Sequence, residues 1–483
     1  MARKALHSED YERSMEVINM LSDELYSAYS KKDLRLVIQS ALFGDRVFGY
    51  EFHIRSACAK VLRYYDDAVY YFNGKYWSPL SDVLLEQALN GSLVKAHINK
   101  SDLVKARSNI LRAAKQGASM SKLSPTRFVV GFSNGVYDFS DIDNPVCHPF
   151  SDRMDILSVL PYEYNPAATC PKWASFLKSI LTPAQVSLLQ KFLSLGIAPR
   201  DSASRKIEET LWLVGSGANG KSVIFEVVKA VYGDTNISSM SLHNLIKDGD
   251  DGARFRAVIV GKIFNYCTEV NTSDISRYEG NFKSLCSGEQ KEYRRIGGNV
   301  ELTDDIPYLV FNMNKKPSNR SMGEAFMRRL LLIHFRTTVS KQDMRPDLVS
   351  ELVTELSGIR NWLIQGYKLL KEDGFKFIPT KESLEETEDY LLENGQTIQI
   401  FLRAREYRPI RYSGHWDEKP KYVAAQSLYN DYVSFCERKM FEVETLNMFG
   451  REMRAIGYEK RKNSSNNIYE IFCDHEISYA LNI

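Results

Sequence analysis

No stretch of this 483-residue sequence approaches the roughly 18 consecutive apolar residues that a membrane-spanning helix requires, so no segment is expected to cross a bilayer. The opening MARKALHSEDYERSMEVINML lacks the apolar core of a secretory leader. Cysteine is sparse and scattered. The seven residues Cys58, Cys147, Cys170, Cys267, Cys286, Cys436 and Cys473 contain no C-x-x-C pair, which argues against both a disulfide framework and a zinc site and for reduced thiols. Net charge is nearly absent, since 63 Lys and Arg face 61 Asp and Glu. That balance excludes a protein that is basic all over; any nucleic-acid surface has to be a local patch offset by acidic surface elsewhere. Internal repeats and low-complexity tracts are missing too, and with 44% hydrophobic and 26% charged residues the chain has ample material for several cores.

Five regions follow from the patterning that is present. Residues 1–115 mix helical spacing (VINMLSDELYSAYS from Val17, DLRLVIQSALFG from Asp33) with aromatic segments around Asn73-Gly74, a hairpin signal, and predict an α+β region. Residues 116–200 begin with a second hairpin signal at Asn134-Gly135. They continue into amphipathic helices, KWASFLKSIL and AQVSLLQKFLSLGI, that read as a helical collar. Residues 201–345 alternate apolar strands (TLWLVG, VIVGKIFNYCTE, IPYLVFNMN, RRLLLIHF) with helices, the pattern of an α/β domain with a buried, mainly parallel sheet. Residues 346–400 predict a helical linker region. Residues 401–483 predict two helices and a short hairpin, the order of a winged-helix module.

The chemistry is concentrated in GSGANGKS, residues 215–222, a G-x-x-x-x-G-K-S phosphate-binding loop. Gly215, Gly217 and Gly220 allow the backbone angles that turn amides inward. Ser216, Ala218 and Asn219 fill the loop between them. Lys221 can reach the β- and γ-phosphates, and the Ser222 hydroxyl can ligate Mg2+. A chance glycine-rich turn would lack the flanking elements, yet here a strand precedes the loop and a helix follows it, with its N-terminal amides facing the anion. The expected ligands are therefore ATP and Mg2+.

Further candidates lie on the later strands. Glu269 ends VIVGKIFNYCTE, where a carboxylate could orient the attacking water or associate with the metal; Thr268 stands where many such strands carry a second acid. Asn314, at the end of IPYLVFNMN, could hold that water or sense the γ-phosphate, with Asn312 one strand period away as its competitor. Arg329, preferred over Arg328, could reach the nucleotide of a neighbouring subunit. Between these strands, KEYRRIGG reads as a hairpin with a basic tip. Lys291, Arg294 and Arg295 around Tyr293 would grip a DNA backbone without regard to sequence.

Taken in order, GSGANGKS, the strand ending in Glu269, KSLCSGEQKEYRR, YLVFNMNKKP and FMRRLLLIHF resemble the superfamily 3 helicases of phage and plasmid primase–helicase proteins of the poxvirus type. SNGVYDF, YEYNPAATCPKWASFL and LLQKFLSLGIAP resemble that family's helicase-preceding domain. SLYNDYVSFCERK, FGREMRAIGYEKR and IYEIF resemble its C-terminal winged helix. The resemblance implies an AAA+-type core, a homo-hexamer with single-stranded DNA in its channel, ATP-driven unwinding for replication of a phage, plasmid or other mobile element, and residence in the host bacterium's cytoplasm. It also implies a helicase-only member, because the sequence has neither room nor an acidic motif for a primase. Arg451, Arg454, Lys460, Arg461 and Lys462 fit duplex contact at an origin, although a winged helix serves protein contacts equally. Two other functions fit the same motifs: a site-specific initiator that ATP merely switches, and an AAA+ ATPase that remodels proteins or acts in defence.

Overall fold

Both Asn-Gly signals become tight turns, the first within an antiparallel sheet and the second within a small mixed one. The computed structural model describes residues 2–29, 48–95, 100–268, 275–295, 298–319, 323–337, 345–409, 420–462 and 467–473, and the chain divides after Asn165 into two compact units. In the first unit, helices α1 (Ala2–Ala28) and α2 (Phe48–Val61) precede a meander of β1 (Leu62–Tyr65), β2 (Ala68–Phe72) and β3 (Trp77–Leu80). The β2–β3 turn is held by the Asn73 side chain, whose Oδ1 accepts from the amides of Lys75 at 3.0 Å and Tyr76 at 2.9 Å. The β1–β2 turn was not foreseen. Asp66 and Asp67 form it with φ of 48° and 59°, the left-handed pair that matches hairpin twist.

Helices α3 (Asp82–Lys95) and α4 (Lys100–Ala118) pack on α1 and α2 and bury Leu21, Leu25, Leu85, Leu89 and Ala114. The second sheet runs β6-β5-β4-β7, from β4 (Val129–Phe132), β5 (Gly135–Asp138), β6 (Val146–His148) and β7 (Val159–Leu160). The helix expected over DLRLVIQSALFG lies outside the described residues.

The second unit opens with α5 (Pro171–Ile180) and α6 (Pro183–Ser194). Thr182 and Gln185 start α6 reciprocally: the Thr182 amide donates to Gln185 Oε1 at 3.0 Å, and the Gln185 amide donates to Thr182 Oγ1 at 3.4 Å. Next come β8 (Thr210–Val214), α7 (Lys221–Tyr232), β9 (Ile237–Ser238), α8 (Leu242–Ile246), α9 (Gly249–Ala257) and β10 (Phe264–Cys267). They are followed by α10 (Glu279–Cys286), the hairpin β11 (Lys291–Arg294) and β12 (Val300–Thr303), then β13 (Tyr308–Met313), α11 (Glu324–Met327) and β14 (Leu330–His334).

Among the described residues five of these strands form a wholly parallel sheet, ordered β14-β8-β13-β10-β9. Their unbroken apolar runs follow from burial on both faces: every residue of β8, β10 and β13 is buried. The strand predicted from VIVGKIFNYCTE is shorter than expected. Val258 and Ile259 donate to Phe255 O (3.2 Å) and Arg256 O (3.1 Å) as the end of α9 unwinds, and Gly261 reverses the chain at φ 75° before Phe264.

The sheet's far edge is secured by one buried amide. Asn265, with no exposed surface, donates from Nδ2 to Met240 O at 2.8 Å, while its Oδ1 accepts from Met240 N at 2.8 Å and Ser238 Oγ at 3.1 Å. The side chain thus continues the ladder where β9 ends.

Beyond the sheet lie α12 (Leu348–Leu352), α13 (Leu356–Glu372), α14 (Lys381–Glu393) and α15 (Thr397–Ala404). A terminal module follows: β15 (Lys421–Ala424), α16 (Ala425–Lys439), α17 (Leu446–Ile456), β16 (Lys460–Lys462) and β17 (Asn467–Ile471), its sheet ordered β15-β17-β16. The two helices and the hairpin were expected and β15 was not; the hairpin's turn, residues 463–466, lies outside the described residues.

Replacing Asn265 by Ala leaves the half-buried Met240 amide and carbonyl without these partners and is expected to cost about 1–2 kcal/mol of unfolding free energy. Denaturant titration measures this, and a loss below about 0.5 kcal/mol would show that the ladder does not depend on the side chain.

Candidate functional site

The loop after β8 is shaped by residues that tolerate left-handed backbone. Gly217 (φ 101°), Ala218 (φ 49°) and Gly220 (φ 88°) curl the chain into a cradle, with Gly220 capping α7. Gly215 is required for a different reason. A Cβ there would stand 2.3 Å from Asn219 Nδ2 and 3.0 Å from Phe335 O. The loop base is stitched to the sheet by the Gly215 amide, which donates to Met313 O at 3.1 Å, and by the Phe335 amide, which donates to Val214 O at 2.8 Å.

Lys221 folds back into this cradle. Its Nζ donates to Gly215 O at 2.6 Å and to Asn219 Oδ1 at 3.0 Å, both neutral oxygens, and lies 5.9 Å from the Phe335 ring centroid. Only 5% of the residue is exposed, and burial lowers the ammonium pKa to about 8. Asn219 Nδ2 is buried with no hydrogen-bond partner among the described residues. A buried cation on neutral oxygens and an unmatched donor, at the start of a helix, together fit an anion.

The cradle opens on a cavity of about 1170 Å³ at the carboxyl ends of the strands. In an open α/β sheet this crevice is where ligands bind. Lys221, Ser222, Thr268, Asn312 and Asn314 all line it, so residues from two strand ends and one helix start converge. Asn314 is exposed, just past the end of β13, whereas Asn312 is buried and its Nδ2 donates to Lys221 O at 3.4 Å. Glu269 lies outside the described residues. Among the described residues no group of three His, Cys, Asp or Glu could hold a metal ion by itself. The exposed Ser222 hydroxyl together with phosphate oxygens suits Mg2+, which keeps few protein ligands beside a polyphosphate.

Arg329 does not join this group. It precedes β14 at the amino-terminal ends of the strands, opposite the cradle at their carboxyl ends, since Leu330 pairs with Thr210 and His334 with Val214. Its guanidinium is buried, donating to Glu208 Oε1 at 2.9 Å, Ser287 Oγ at 2.8 Å and Ala325 O at 2.5 Å. Arg328 is half exposed and donates to Glu208 Oε2 at 2.9 Å. Burial raises the Glu208 pKa, but Ser287, Arg329, Arg328 and Lys206 together outweigh it and hold the carboxyl below its ordinary value. Of the two arginines, the one preferred from the sequence is the one already committed within the fold.

The basic hairpin is also partly self-engaged. Tyr293 is buried and donates to Glu301 Oε2 at 2.6 Å, so it is not an exposed aromatic tip. Arg294 ties the hairpin to α9 through Asp250 at 2.8 Å and donates to Gly298 O at 3.0 Å, and Arg295 lies 5.8 Å over the Tyr293 ring. Lys291 is partly buried, and burial followed by the nearby Arg256 lowers its pKa.

Three contributors went unread in the sequence. Glu355 accepts from the amides of Lys172 at 3.2 Å and Trp173 at 3.1 Å, capping α5 from far along the chain. Phe176 on α5 and Arg345 before α12 line the cavity. No local pattern marks any of them, because each acts across a long separation.

Residues 52–182 match the family described as D5 N terminal like. Residues 213–329 match a family of unknown function, DUF5906, a span that runs from β8 through the cradle to Arg329. The D5-like match ends at Thr182 and so takes in α5, one wall of the cavity. Among solved structures, an apo structure of the NrS-1 C terminal region is 11% identical with a TM-score of 0.46, covering 84% of this chain and 93% of that one. An A form of the same region gives 11% identity and a TM-score of 0.43 over 84% and 94%; another A-form structure gives 11% and 0.38 over 67% and 81%.

Because the folded Lys221 loses its proton near pH 8, well below the ordinary lysine value of 10.5, a bound polyphosphate should restore that proton. Calorimetry in buffers of different ionisation enthalpy should detect little proton uptake on nucleotide binding at pH 7 and close to one proton at pH 9, with affinity falling above pH 8. Uptake that stays constant between pH 7 and pH 9 would separate Lys221 from the anion.

Proposed function

We propose that this protein is an ATP-dependent DNA helicase that unwinds DNA for the replication of a phage, plasmid or related mobile element. The observation that carries the reading is the cradle of residues 215–222, with its buried lysine, opening on a nucleotide-sized cavity at the carboxyl edge of a parallel sheet. ATP and Mg2+ are the ligands that suit it. Lys221 would neutralise charge on the β- and γ-phosphates, and Ser222 would hold the metal. Asn312 or Asn314 would orient the attacking water, and Glu269 would act as its base.

The D5-like match supports a replication role for an element of this kind. A ring of six copies, with single-stranded DNA in the channel, follows from the same reading. The half-exposed Arg328 suits a reach to the neighbour's nucleotide, and the buried Arg329 suits holding it there. Lys291, Arg294 and Arg295 would meet the strand's backbone, although Arg294 would first have to leave Asp250.

A second reading takes the terminal module, two helices with a three-stranded sheet, as a winged helix. Lys460, Arg461 and Lys462 are exposed along β16, and Arg451 and Arg454 are exposed on α17, which favours duplex contact by an initiator.

Lys221→Ala is expected to reduce DNA-stimulated ATP hydrolysis by about 10²-fold or more and to abolish strand separation on a forked substrate. Duplex binding through the terminal module should survive. Unwinding that persists in this variant would refute the helicase reading; ATPase indifferent to any nucleic acid would favour a motor that acts on protein.

A further inference from the structure

We propose that the cleft between α5 and α12 is the nucleoside subsite of the cavity, and that the Phe176 ring is the face on which a purine base stacks. This inference rests on the phosphate-cradle reading and extends it from the phosphates to the base.

Helix α5 has a divided character. Trp173, Leu177 and Ile180 are buried, whereas Phe176 lies between them only partly covered and lines the cavity. Its ring reaches the cradle: Phe176 Cζ would be 3.0 Å from a Cβ on Gly220, the residue immediately before Lys221. Leu348 and Leu352 of α12 also line the cavity and make its second apolar wall. An aromatic face that water can reach, set between aliphatic walls beside a phosphate loop, suits a flat heteroaromatic ring whose charged end lies in the loop. Phosphates alone would leave most of the roughly 1170 Å³ unfilled.

The cleft is also held rigid. Glu355, just before α13, caps α5 through the Lys172 and Trp173 amides. Gly358 on α13 approaches Thr169 so closely that a Cβ would stand 2.1 Å from its carbonyl oxygen. Arg345 donates to Glu351 at 2.6 Å, fastening the lead-in of α12 to its own helix at the cavity rim. Stacking gains most when neither face has to be ordered on binding, and these contacts set both walls beforehand.

The test compares two ligands on the full chain by calorimetry: Mg-ATP and inorganic tripolyphosphate, which has no base. Phe176→Ala is expected to weaken Mg-ATP about tenfold, within the range for loss of one base–aromatic stack, and to leave tripolyphosphate unchanged. Phe176→Trp, which keeps bulk and an aromatic face, should restore ATP affinity and report binding by a change in its fluorescence. Unchanged ATP affinity in Phe176→Ala overturns the proposal. So does an equal loss for both ligands, which would mean that the ring only props the loop. If Lys221→Ala leaves both ligands bound as tightly as before, the cradle reading fails instead, a result the Phe176 variants cannot mimic.

Discussion

The site depends on one electrostatic imbalance, a lysine ammonium buried against neutral oxygens. Lys221 is withdrawn from water with Gly215 O and Asn219 Oδ1 as its acceptors, and its pKa falls accordingly. A fold tolerates such a cation where the protein gains something from leaving its charge unanswered. On the proposed reading the gain is an anion site whose charge lies within the cradle rather than on a mobile side chain. The glycines follow from the same demand: Gly215 leaves room for Asn219, and Gly217 and Gly220 take up the left-handed turns that bring the loop round the lysine.

Around that loop the structure invests in rigidity. The sheet edges are fixed by Asn265 and by the register of β14 on β8, and α5 is capped by a carboxylate some 180 residues away in sequence. Lys316, two residues past Asn314, is buried against Glu386 of α14, and Glu386 Oε2 lies 2.5 Å from His334 Nδ1 at the end of β14. These contacts tie the strand ends to the helices behind them.

The shape of the loop was legible in the sequence because its determinants are local: glycine turns, a preceding apolar strand and a following helix all fall within about twenty residues. The hairpins at Asn73-Gly74 and Asn134-Gly135 were legible for the same reason, and the parallel sheet showed in its unbroken apolar runs. Contacts made at a distance were not. Glu208 closes over Arg328 and Arg329 from the segment before β8, so the relative exposure of the two arginines could not be judged from FMRRLLLIHF alone. Tyr293 looked like a hairpin tip because its partner, Glu301, sits on the opposite strand. Phe176 reads as one more apolar position on an amphipathic helix, and only the fold separates it from Trp173 and Leu177.

The most direct test is a structure of the full chain with a non-hydrolysable ATP analogue, Mg2+ and forked DNA. The account predicts triphosphate density against the amides of residues 216–222, Lys221 Nζ moved from Gly215 O onto phosphate oxygens, and a neighbouring copy closing the pocket around a strand-filled channel. A single copy with nucleotide bound elsewhere, and Lys221 still on Gly215, would contradict it.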